Sequence, residues 1–129
     1  MRKIIFNYNS HLEEFTFFAS VSSDDIVHYE ILTHNGNGIK LKNGKLDQEK
    51  SIEFTNLLEE TRIFEIDDNY QNKCVSKDFY TEVYTIVAIA NEFFIAKEFN
   101  DSTRPKNIEY LFKAMCLCDE STKLFYQNQ

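Results

Sequence analysis

"DFYTEVYTIVAIANEFFIAKEF", residues 78–99, decides the fold. Its β-branched and aromatic residues suit a pleated surface, and only Asn91-Glu92 interrupts them. The stretch therefore predicts two strands, 78–90 and 93–99, joined as a long antiparallel hairpin. A two-residue turn at Asn91-Glu92 pairs Tyr84 with Phe99, Ile86 with Lys97 and Ala88 with Ile95. One face then carries Phe79, Val83, Val87, Ile89 and Phe94, the expected core side. The other carries Tyr80, Tyr84, Ile86, Ile95 and Phe99. A sheet covered on one side only is polar on its outer face, and this one is not. Either another part of the chain covers that face, which is the expectation here, or a partner does. Left open, such a patch marks an interface.

Upstream, strand patterns recur at 3–8, 14–21 and 26–33, with alternation such as Ile4, Phe6 and Tyr8. "SSDD" at 22–25 is a turn cluster. "HNGNG" at 34–38 holds two Asn-Gly pairs, a strong hairpin signal, before a short strand "IKLK" that Asn43-Gly44 is expected to close. At Asp47 the period changes. Phe54, Leu57, Leu58 and Thr61 recur at helical spacing, with Asp47 as N-cap and Glu49 favourably placed near the positive helix end. That helix should end near Thr61 or Arg62. Pro105 fits the first turn of a second helix whose apolar stripe is Ile108, Leu111, Phe112 and Met115. The order strands, helix, hairpin, helix predicts a single α+β domain over residues 1–129. It should hold an antiparallel sheet of about six strands with two helices on one face.

Composition narrows the function classes. The chain has 129 residues, 43% of them hydrophobic and 15% aromatic, enough for a real core in one domain. Net charge is −7, which repels nucleic-acid phosphates and anionic membranes and favours a cationic partner. Acidity that merely keeps the chain soluble is the competing account. The apolar run after "MRK" stops at Phe6, too short for a signal peptide, and no run reaches the roughly 18 residues of a membrane span. Cys74, Cys116 and Cys118 are odd in number and lack framework spacing, so three free thiols in a reducing cytoplasm are expected.

Catalytic and cofactor templates lack parts. "HNGNGIK" has no Lys-Ser/Thr pair and no following helix, so it is a turn and not a phosphate loop. Cys116 and Cys118, two apart on a helix, diverge by about 200° and do not share a metal easily, and His11, His28 and His34 sit in separate elements. Cys74 has Lys73 and Lys77 near it but no base. Glu59-Glu60 and Asp67-Asp68 are adjacent pairs, a pattern common on solvated surfaces and unlike two carboxylates held across a cleft. The expectation is a non-enzyme with no catalytic residues, metal or cofactor.

What remains is "TRIFEIDDNYQNK", residues 61–73. Glu59, Glu60, Glu65, Asp67, Asp68 and Tyr70 crowd a predicted helix C-terminus, where negative charge opposes the helix dipole. One reading is a solvated loop that tolerates a few tenths of a kcal/mol, roughly, of dipole penalty. The other is a surface for a basic partner, with Tyr70, Tyr80 and Tyr84 as aromatic anchors. No chemistry competes, so the binding reading is carried forward.

In length, in a pI of about 4.9, in the lack of a signal peptide, and in "LDQEKSIEFTNLLEETRIFEI" leading into a Tyr-rich hairpin, the chain resembles small acidic immunity proteins. These belong to bacterial toxin–immunity systems, including contact-dependent growth inhibition. The resemblance implies a cytoplasmic, stoichiometric inhibitor that binds a cognate basic toxin domain, often a nuclease. It carries no residue-level roles. The alternatives are a homodimeric structural or adaptor protein, joined through the apolar outer sheet face, and a small ligand-binding module or enzyme.

Overall fold

The computed structural model describes residues 2–62, 83–90, 93–99 and 105–123. Six strands form one antiparallel sheet: β1 Arg2–Asn9, β2 Glu13–Val21, β3 Val27–Asn35, β4 Gly38–Lys45, β5 Val83–Ala90 and β6 Phe93–Phe99. The spatial order is β4-β3-β2-β1-β5-β6. β1–β4 form a meander that walks outward, and the last two strands add on the opposite side of β1. Two helices among the described residues, α1 Gln48–Thr61 and α2 Ile108–Cys118, pack against each other. This is the α+β architecture, and the element order, that the sequence predicts.

Alternation along β1–β3 puts Ile4, Phe6, Phe15, Phe17, Ala19, Val27 and Ile31 on one buried face. Both helices lie against that face. The Phe17 ring meets Phe54 of α1 at 6.3 Å, and the Phe6 ring meets Phe112 of α2 at 5.5 Å. Ile108, Leu111, Phe112 and Met115 are buried as the α2 stripe requires. α1 begins where expected: the Asp47 carboxylate accepts from the Lys50 amide at 2.8 Å. It ends at Arg62, whose backbone is left-handed (φ 51°) and whose N–H donates to the Glu59 carbonyl.

The hairpin register is as predicted, with Tyr84 opposite Phe99, Ile86 opposite Lys97 and Ala88 opposite Ile95. Its orientation is the reverse. Tyr84, Ile86, Ala88 and Phe99 are buried under the helices, while Val87 and Ile89 lie half-buried on the outer face. The hairpin alone is apolar on both sides, so it does not choose. β1 chooses for it: Ile4, Phe6 and Tyr8 stand opposite Ala88, Ile86 and Tyr84. Tyr84 sits between the Tyr8 and Phe99 rings, at 5.0 Å and 5.1 Å. Phe79 and Tyr80, and the side chains of Val83 and Phe94, lie outside the described set.

Two smaller expectations also change. β4 runs on through Asn43-Gly44 instead of ending there. Gly44 stands opposite Tyr29, and a Cβ at Gly44 would fall 2.7 Å from the tyrosine hydroxyl. Its glycine leaves room for that ring, as glycines inside strands often do. Pro105 precedes α2 in a turn, accepting at its carbonyl from the Ile108 amide. Among the described residues no helix is long and apolar enough to cross a membrane.

Candidate protein-binding surface

The face of α1 turned from the core is acidic. Phe54 and Thr61 point inward, so Glu49, Glu53, Asn56, Glu59 and Glu60 recur outward at three- and four-residue spacing and are exposed. Among them stands Ile52, an apolar side chain 55% exposed. The last turn contains no basic residue, so Glu59 and Glu60 oppose the dipole as the sequence implies. Arg2 from β1 offsets part of this: its Nη1 donates to Glu59 Oε1 at 3.0 Å. Both groups are substantially exposed, so the pair contributes little stability and leaves the face negative.

Beside this helix the β2–β3 turn adds Asp24 and Asp25, both exposed. Asp25 adopts a left-handed conformation (φ 62°), which aspartate tolerates better than most residues. A hydrogen bond from the Ser22 hydroxyl holds the Asp24 carboxyl below its usual pKa. Between turn and helix runs a groove of about 510 Å³ edged by Arg2, Asp25, Ile52, Asn56 and Glu59. An exposed apolar side chain ringed by carboxylates can dock on a basic surface that carries one apolar pocket.

Of the sequence-predicted contact residues, Glu59 and Glu60 are on this face. Glu65, Asp67, Asp68, Tyr70 and Tyr80 lie outside the described residues. Tyr84 is a correction: at 3% exposure it belongs to the core, because β1 draws its face inward. Sequence reasoning missed Ile52, Glu49, Glu53 and the Asp24-Asp25 turn. For the α1 residues the signal was available, since the positions opposite the Phe54 stripe are fixed by the same period.

Cys116 and Cys118 are free thiols, and burial pushes the Cys118 thiol up to about 12. Cys74 lies outside the described set. No cluster of three or more metal-ligating side chains occurs among the described residues. The chain matches no protein-family model, and a search of curated proteins finds no match.

Proposed function

We propose that this protein is a stoichiometric inhibitor, an immunity protein that binds and neutralises a cognate basic toxin domain. The observation that carries the reading is the outer face of α1: Glu49, Glu53, Glu59 and Glu60 around exposed Ile52, with Asp24 and Asp25 alongside. Carboxylates at the rim steer a basic partner in and set the salt dependence of association, while a desolvated apolar anchor slows its release. A chain of net charge −7 reinforces that steering over its whole surface. Inhibition then needs only occupancy, so no catalytic residue is required of this chain. In the toxin–immunity arrangement the partner is encoded next to its inhibitor. Co-expression with the C-terminal domain of a large secreted protein encoded beside it should restore growth and yield an equimolar complex. Unrelieved toxicity, or a homodimer that ignores that domain, would contradict the proposal.

A further inference from the structure

β4 is an edge strand: it pairs with β3, and among the described residues no strand lies beyond it. Every residue of it except Gly44 is exposed. Its two sides differ in chemistry. Lys40 and Lys42 stand opposite Thr33 and Ile31, on the helix side, and Ile39 and Leu41 point to the outer side at 71% and 57% exposure. No carboxylate occurs between Gly38 and Lys45. Within a strongly acidic chain this strand is locally basic.

We infer that β4 accepts an extended segment of another protein, added antiparallel or parallel as a seventh strand, with carboxylate side chains facing Lys40 and apolar ones continuing Ile39 and Leu41. Unpaired main-chain groups supply affinity and alternate side chains supply specificity in such strand addition. On the helix side a groove of about 770 Å³ opens beside the strand, lined by Phe15, Ile31, Lys40, Lys42 and Asp119. Lys42 is engaged there by Asp119 at 3.6 Å. Lys40 makes no ion pair among the described residues, which leaves it to meet an incoming carboxylate.

A second copy of this chain fits poorly. A two-fold that keeps both sets of helices on one side overlaps the strands most when it is centred on Leu41 or Lys42. Each choice sets lysine opposite lysine, an arrangement that destabilises a strand pair. Edge lysines also serve simply to prevent aggregation. That role alone does not account for Ile39 and Leu41, which a guarded edge would replace with polar residues. The inference does not rest on the α1 reading.

The test uses the full chain and a short, capped, fluorescent peptide alternating glutamate with isoleucine. A lysine–isoleucine peptide of equal length and an N-methylated version of the first serve as controls. The glutamate peptide should bind at least tenfold more tightly than the lysine peptide and slow amide exchange within Ile39–Asn43. N-methylation should abolish binding. Lys40→Glu should weaken it about tenfold, as expected for loss and reversal of a partnered charge, with thermal melts confirming the fold. Equal binding of the two charged peptides, protection outside β4, or a free protein that already dimerises through β4 would each overturn the inference. So would no binding at all, which would leave the lysines as edge guards only.

Discussion

Ser51 is fully buried at the start of α1, and its hydroxyl ties α1 to β3 and to the link that follows β4. It accepts from the Val27 amide at 3.0 Å and donates to the Leu46 carbonyl at 3.4 Å. Ser51→Ala would strip the buried Val27 amide of its acceptor, which costs about 1–3 kcal/mol. Urea unfolding should show that loss, and a change below ~0.5 kcal/mol would mean the hydroxyl is dispensable. Cys118 makes a second residue-scale prediction. Its thiol is raised to about 12 by burial, against 9.0 for the ordinary group. A raised pKa means the folded state keeps a proton that the unfolded chain releases. The associated stability is complete below pH 9 and falls as pH rises towards 12. Alkaline melts should therefore fall more steeply for the native chain than for Cys118→Ala, and parallel slopes would remove the effect. Neither Ser51 nor Cys118 was legible as a buried polar or titratable group, because serine and cysteine carry no pattern that tells a surface from an interior. Tyr84 misled for a related reason. A tyrosine on a strand announces an amphipathic side chain, while its burial is set by pairing with Tyr8 of β1, which no local period links to it.

α1 is the element that the sequence describes most fully, and the reason is that a helix of this length specifies both its faces. Asp47 closes the first turn, the Phe54 stripe faces the sheet, and the remaining positions must face outward. Asp47→Ala should cost about 1 kcal/mol, read as a lowered melting temperature, because it removes the carboxylate that accepts from Lys50. A melt unchanged by that substitution would show that water replaces the cap without penalty. The β5–β6 hairpin is the opposite case. Its register follows from the turn length, but both faces are apolar, so only pairing with Ile4 and Phe6 of β1 decides which turns inward. β4 shows a further limit. An Asn-Gly pair ordinarily ends a strand, yet Gly44 is here a site of close approach to Tyr29 across the sheet. Turn chemistry is local, whereas that contact comes from a neighbouring strand.

At the scale of the whole molecule, stability is centred on β1 and the strands beside it, and the proposed binding face lies at the periphery. Phe6, Phe17, Phe54, Phe112 and Ile86 are fully buried about that centre, so Phe6→Ala should cost about 3–5 kcal/mol. Amide exchange should be slowest in β1 and β2 and fastest in β4, whose residues are almost all exposed. The acidic character of the α1 end was legible, since Glu59 and Glu60 stand out in the sequence by their place at a helix end. That Ile52 faces outward follows from the helical period, but that it shares a groove with Asp25 does not, because this depends on how α1 lies beside the β2–β3 turn. The most direct measurement is the pair of rate constants for the cognate basic domain, taken over a range of salt. Comparison of the native chain with Glu53→Lys/Glu60→Lys and with Ile52→Ala separates steering from anchoring. The double reversal should slow association at low salt and flatten its salt dependence, and Ile52→Ala should speed dissociation by about tenfold or more, the scale of a central apolar contact. Association and dissociation rates unmoved by both changes, in proteins whose melts are intact, would contradict α1 as the binding face.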